Sequence, residues 1–165
     1  MSDLGLLSYY LGIKVKQERG KIMLCQRGYA EKVLERAGIS GCNPCNTPME
    51  VRLKLSKEDD APPADATEYH GVVGCLCYLI NTRPDIALAV GVTSRYMEAP
   101  STRHWTAVKQ ILGYIRGTLH YGCSYKRGSG APSLVGYSDS DHAGDTNDRK
   151  STSGVVYFLS GSDVT

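Results

Sequence analysis

With 165 residues the chain has room for one domain, or for one small domain and part of another. Its 41% hydrophobic and 22% charged residues are ordinary for a soluble globular protein. No apolar run reaches bilayer length, and Met1-Ser2-Asp3 lacks the basic start and apolar stretch of a secretory leader, so the expected location is cytoplasmic or nuclear, with no membrane partner.

The net charge of +2 is unevenly placed. Residues 1–40 carry seven Lys/Arg against four Asp/Glu, and residues 41–70 carry three against six. Residues 71–130 then carry seven against two, and residues 131–165 two against five. A basic middle is compatible with a surface that touches a phosphate backbone, and a solvated helix face would show the same charge. The six cysteines are scattered through apolar segments and do not read as a disulfide framework. Cys42-Asn43-Pro44-Cys45 has the spacing of half a zinc site, but a structural zinc needs a second pair of ligands that the sequence does not supply nearby.

In chain order, Leu7 to Gln17 alternates apolar and polar residues, Glu18-Arg19-Gly20-Lys21 supplies a turn, and Ile22, Leu24 and Gln26 alternate again. This pattern predicts a β-hairpin. Ala30, Val33, Leu34 and Ala37 recur at helical spacing, with Gly38 where such a helix would end. From Gly41 to Ala66 four prolines and the charge cluster Lys57-Glu58-Asp59-Asp60 predict a long, solvated surface connection with freedom to move. Three helices follow. Thr67 is the expected cap of the first, whose buried face holds Tyr69, Val72, Val73, Leu76 and Leu79 or Ile80. Arg83-Pro84-Asp85 starts the second and Pro100 stops it. Ser101 or Thr102 caps the third, in which Trp105, Val108, Leu112, Ile115 and Leu119 form a core-facing stripe. Strands return at 123–126, 134–138 and 155–159. The fold class is therefore α+β: an N-terminal hairpin, a helical bundle and a β piece. With Val155, Tyr157 and Leu159 alternating with Val156 and Phe158, both faces of the last strand are apolar. The expectation is an incomplete C-terminal sheet that invites self-association.

Four stretches, in this order, resemble the Pol polyproteins of copia-type LTR retrotransposons. They are Asp3-Leu4-Gly5 with Leu7-Ser8-Tyr9-Tyr10-Leu11-Gly12-Ile13; Asn46-Thr47-Pro48-Met49; Gly74-Cys75-Leu76-Cys77-Tyr78-Leu79 with Thr82-Arg83-Pro84-Asp85-Ile86; and Leu134-Val135-Gly136-Tyr137-Ser138-Asp139-Ser140-Asp141, which runs on to Gly154. The resemblance implies that 1–40 is the end of the reverse transcriptase palm and primer-grip region. Residues 41–66 would be a connection, 67–120 a helical thumb-like bundle, and 121–165 the truncated opening strands of an RNase H domain.

In that family the parent protein copies RNA into DNA and cleaves the RNA–DNA hybrid with Mg²⁺. The polymerase aspartates would lie upstream of Met1, and the one Asp-Asp here, Asp59-Asp60, stands in a loop. Asp139 matches the first RNase H metal-binding aspartate. Its partners belong to later elements, so it would ligate a metal only if completed by them, and no cofactor is expected for the isolated chain. Asp141, Asp145 and Asp148 read more simply as loop acids, and His142 stands where relatives usually carry Trp. Tyr10-Leu11-Gly12 resembles the segment that holds the primer end, against a plain hairpin with Gly12 at a bulge. Arg103, Lys109, Arg116, Lys126 and Arg127 are the candidate phosphate contacts, with the hybrid as partner. The expected function is thus a reverse transcriptase/RNase H fragment that is catalytically incompetent alone. The alternative is a non-enzymatic nucleic-acid- or protein-binding module retained by the host, and a third reading is assembly with a separate RNase H half.

Overall fold

The computed structural model describes residues 5–39, 41–51, 53–128, 131–140, 149 and 151–164. Among them the chain is a mixed α/β fold with four α-helices and two antiparallel sheets.

The alternation between Leu7 and Gln17 is broken where the sequence reading ran it straight through. Strand β1 (Tyr9–Tyr10) turns back at once into β2 (Ile13–Glu18), with Tyr10 opposite Ile13. Leu11 and Gly12 form the two-residue turn, with φ of 47° and 81°. Positive φ at both positions marks the tight hairpin turn whose twist suits antiparallel strands, so Gly12 serves a turn and not a bulge. Strand β3 (Lys21–Cys25) pairs with β2 from Glu18↔Lys21 to Lys14↔Cys25. The fourth strand of this sheet comes from far along the chain. β4 (Cys123–Lys126), expected to stand with the C-terminal strands, pairs with β3 instead. The match is physical: Ile22 faces Tyr125 and Leu24 faces Cys123, so apolar positions of the two strands fall in register.

Helix α1 (Arg27–Arg36) ends as its glycine predicts. Gly38 takes a φ of 65° and donates to Glu35 O, and Ile39 donates to Leu34 O, which closes the helix with a paired C-terminal cap. Helix α2 (Ala66–Leu79) is capped by Asp65 and not by Thr67: its carboxylate accepts the Glu68 N–H at 3.0 Å. Two short 3-10 turns, Ile80–Thr82 and Pro84–Ile86, lead into α3 (Ala87–Ser94), and α4 spans Thr102–Gly117. The four helices pack around Val33, Leu34, Tyr69, Val72, Val73, Leu76, Leu79, Ile86, Val90, Val108, Ile111, Leu112 and Ile115, all buried. Tyr69 keeps its hydroxyl satisfied inside this core by donating to Thr93 O at 2.7 Å. Trp105 lies half-buried against the core and near Tyr69, with ring centroids 6.1 Å apart, which makes it a packing residue.

The connection between α1 and α2 does not hang free as its composition suggested. The Cys45 N–H donates to Gly113 O at 3.1 Å, and a side chain at Gly113 would collide with Cys45 Sγ, 2.7 Å from the Cβ position. Further on, Pro63 bridges Ser101, Ala64 N–H donates to Pro100 O, and Thr102 N–H donates to Pro62 O. Leu55 is buried with Tyr96 and Ala107. A proline lacks a donor but keeps its carbonyl, and that of Pro62 accepts from the first residue of α4.

The second sheet consists of β5 (Leu134–Ser140), β6 (Ser153–Leu159) and β7 (Ser162–Asp163). Its register runs from Leu134↔Leu159 to Ser140↔Ser153. Residues directly opposite share a face, so Tyr137, Asp139, Val156 and Phe158 lie on one side and Leu134, Val155, Tyr157 and Leu159 on the other. Lys126 N–H donates to the buried Ser162 hydroxyl, which ties this sheet to β4.

Candidate nucleic-acid interface

The start of α4 gathers a serine, a histidine and an aspartate. His104 and Ser101 form a capping box: Ser101 Oγ accepts the His104 N–H, and His104 Nδ1 accepts the Ser101 N–H at 3.0 Å. His104 Nε2 donates to Ser56 O at 3.0 Å, and Ser101 Oγ donates to Asp59 at 2.9 Å. The set resembles a nucleophilic triad in composition only. His104 is 0% exposed, and the hydroxyl gives its hydrogen to Asp59. Asp59 is therefore a structural acceptor, and the expected solvated cluster 57–60 is pinned at this residue.

Burial holds the His104 imidazole below its usual pKa, more strongly than the Asp59 carboxylate and the Ser56 carbonyl raise it. The folded chain thus binds fewer protons here than the unfolded chain. Stability is full above the unfolded value of about 6.5 and is lost as pH falls from there toward the folded value. We expect the urea midpoint to drop between pH 7.5 and pH 5.5. In His104→Gln, which keeps an N3 acceptor for the box, most of that drop should vanish. An equal drop in the variant would refute the assignment.

The Thr82-Arg83-Pro84-Asp85 motif makes a second polar cluster, centred on the buried Arg83. Arg83, 3% exposed, donates Nε and Nη2 to the Asp85 carboxylate at 2.8–3.2 Å. Its Nη1 donates to Thr118 O at 3.0 Å and its Nη2 to Thr118 Oγ1 at 2.7 Å. The guanidinium also stands 5.5 Å from the ring centroids of Tyr114 and Tyr121. Burial pushes the Asp85 carboxyl up, but the Arg83 guanidinium, aided by the Tyr114 hydroxyl, outweighs it and holds the group below the usual range. The sequence marks this stretch as a helix start and a family motif, without the contact to Thr118. The arginine in fact closes the C-terminal end of α4, where a cation is favoured.

At the hairpin tip Tyr10 and Leu11 are exposed, and the Tyr78 hydroxyl of α2 donates to Leu11 O, which anchors the turn. Tyr78 is itself held edge-on by Tyr29 at 5.0 Å between centroids. The five candidate cations do not share one element. Lys109 and Arg116, seven residues apart on α4, lie on one stripe, and Arg103 stands about a third of a turn away. Lys109 also approaches Trp105, 5.9 Å from the ring centroid. Lys126 and Arg127 sit at the other end of the first sheet, where Lys126 faces Lys21 and Arg127 N–H donates to Gly20 O.

Asp139 lines a cleft of about 770 Å³ between α3 and the second sheet, with Leu88, Val92, Arg95, Tyr137 and Thr152. Arg95 donates to the Thr152 hydroxyl across it at 2.7 Å. The Asp139 carboxylate accepts the Ser140 N–H at 2.9 Å. Among the described residues no three Asp, Glu, His or Cys side chains gather as a metal site. A two-metal centre needs several carboxylates, so Asp139 alone does not fit the Mg²⁺ pair that the resemblance implies. Asp141, His142, Asp145 and Asp148 lie outside the described residues. Cys42 and Cys45 are free thiols, and no described helix is long and apolar enough to cross a membrane.

Residues 1–51 match the family model for reverse transcriptase (RNA-dependent DNA polymerase). The chain is 43% identical over 170 residues to the retrovirus-related Pol polyprotein from transposon TNT 1-94 of Nicotiana tabacum, an alignment covering 98% of this chain and 13% of the polyprotein. It is 42% identical over 153 residues to the corresponding polyprotein from transposon RE2 of Arabidopsis thaliana, covering 93% and 10%. An uncharacterized mitochondrial protein of Arabidopsis thaliana is 36% identical over 159 residues, covering 96% of this chain and 65% of that protein. The chain thus spans a small part of the polyproteins that it matches. No solved structure matches it.

Proposed function

Because the chain belongs to the retrovirus-related Pol polyproteins of copia-type transposons, we propose that it is the segment where the reverse transcriptase passes into an RNase H-like domain, and that its own task is to hold nucleic acid and not to catalyse. The observation that carries this reading is the β1–β2 tip. Tyr10, Leu11 and Gly12 stand on a tight turn fixed to the helical core by Tyr78, so a nucleic-acid strand would meet a rigid support. The α4 stripe of Lys109 and Arg116, with Arg103 about a third of a turn away on the same helix, adds charge without any base-reading geometry. Catalysis stays with groups outside this constellation: the one Asp-Asp pair begins with Asp59, which is committed to the α4 cap, and Asp139 belongs to no group of three metal-ligating side chains among the described residues.

The test is an RNA–DNA hybrid carrying a fluorescent label, titrated with the chain at two salt concentrations. Binding should be weak, indifferent to sequence and steeply weakened by salt, and reversal of Arg103, Lys109 and Arg116 to Glu should remove most of it. With Mg²⁺ or Mn²⁺ present, neither primer extension nor hybrid cleavage is expected. Cleavage that disappears in Asp139→Asn would overturn the non-catalytic reading, and tight binding unchanged by salt would overturn the phosphate contacts. A second reading, a stand-alone binding protein retained by its host, is favoured by one observation: a short mitochondrial relative aligns with 96% of this chain.

A further inference from the structure

Helix α1 begins in a way that a free helix end does not favour. Its N-cap, Gln26, makes no side-chain cap hydrogen bond, and no acidic residue stands in the first turn. The first intrahelical bond is Ala30 N–H to Gln26 O at 2.9 Å, which leaves the amides of Arg27, Gly28 and Tyr29 without helical acceptors. The helix dipole makes that end positive.

A second and independent sign lies in the Gln26 side chain. It is 2% exposed, and its Oε1 accepts the Thr82 hydroxyl at 2.9 Å. Its Nε2 is a buried donor with no partner. Buried donors are ordinarily satisfied. Gln26 lines a cleft of about 480 Å³ between β2 and the start of α1. Lys14 and Lys16 line it too, two residues apart on β2 and therefore on one face, and Lys32 joins them from α1. The one acid in the lining, Glu31, is engaged by Arg27 at 2.9 Å. At the mouth, nothing stands within 4 Å of where a Gly28 Cβ would lie. Donors, positive charge and room thus converge.

We propose that this cleft binds a phosphate group. The Arg27, Gly28 and Tyr29 amides and Gln26 Nε2 donate to its oxygens, and Lys14, Lys16 and Lys32 balance its charge. The phosphate is that of a nucleic-acid backbone; this source rests on the proposed function, whereas the site itself does not. It sets a strand beside the β1–β2 tip, because Tyr9 and Gly12 line the same cleft.

Amide-resolved NMR of the full chain tests it, with inorganic phosphate as one probe and an RNA–DNA hybrid as the other. Both should move the Arg27, Gly28 and Tyr29 amides and the Gln26 side-chain resonances. The double variant Lys14→Glu, Lys16→Glu should weaken both probes by about tenfold or more at low salt. Both lysines are exposed, so the variant keeps its fold, and Lys54→Glu serves as a charge control that changes neither. Phosphate that leaves those resonances unmoved, or that binds the double variant as well as the parent, overturns the site. If the hybrid still binds in that case, the proposed function survives alone. If phosphate moves them and the hybrid does not, the nucleic-acid source is overturned.

Discussion

Arg83→Ala is expected to lower the stability of the chain by about 1–3 kcal/mol, because it leaves the buried Thr118 groups without their donor, whereas Asp85, its side chain 34% exposed, can turn to water. Asp85 would lose its bidentate partner, and the Thr118 carbonyl would lose its donor at the closed end of α4. For a chain of this length that loss is a fall of roughly 5 °C in the melting temperature. Arg83→Lys should recover only part of it, since one ammonium cannot serve the Asp85 carboxylate and Thr118 together. The arginine also sets an acid limit. Asp85 has its pKa held below the ordinary value, so its contribution is present above the unfolded value of about 3.9. It is lost as pH falls through the folded value. Denaturant midpoints for the parent and both variants, taken at pH 7 and along an acid series, decide the matter. A midpoint for Arg83→Ala near that of the parent would mean that water replaces the clamp at little cost.

That clamp also shows where sequence reading stops. An arginine before Pro-Asp reads as a helix start, and locally it is one: Pro84 opens the second 3-10 turn. Its burial depends on Thr118, 35 residues away, and no local periodicity carries a pairing at that separation. The same holds for β4, whose four residues announce a strand but not that its partner is β3. Elements whose signal is local came through well. The buried faces of α2 and α4 hold Tyr69, Val72, Val73 and Leu76, and Val108, Leu112 and Ile115, as their helical spacing predicts. The cap of α2 fell two residues earlier, at Asp65, because a carboxylate accepting from its third neighbour outcompetes a hydroxyl already inside the helix.

The connection from 41 to 66 misled for a different reason. Proline and charge report the absence of regular structure, not the absence of contacts, and the carbonyls of Pro62 and Pro100 find donors across the Pro63–Ser101 bridge. At the candidate interface, the resemblance singled out Tyr10, Leu11 and Gly12, which the structure places at the β1–β2 tip. Gln26 was not legible, because an unsatisfied buried amide is invisible until its surroundings are known. The one hint in the sequence was a basic residue directly after a helix start, where an acid is favoured.

Hydrogen exchange should separate the two halves of the fold by orders of magnitude. In α4, Val108, Ile111, Leu112 and Ile115 are fully buried, so their amides can exchange only when the helical core comes apart. The second sheet has no such cover. All seven residues of β5 are exposed, and of β6 only Val156 and Phe158 are half-buried. Tyr137 and Phe158 meet edge-on at 6.1 Å between centroids, which gives the cleft-side face some packing. On the opposite face Leu134, Val155, Tyr157 and Leu159 stand in one exposed group, contributing little apolar burial to hold the strands. The ladder of β5 and β6 is long and in register, yet a ladder without burial opens locally at small cost, and its amides then exchange without global unfolding. We therefore expect amides 153–159 to exchange far faster than amides 105–115 on dilute, verifiably monomeric protein. Raising the protein concentration separates two causes: protection that grows with concentration comes from contacts between chains, and protection that does not belongs to the single fold. Equal protection of the two segments in the monomer would mean that the bare face is not what limits the stability of the sheet.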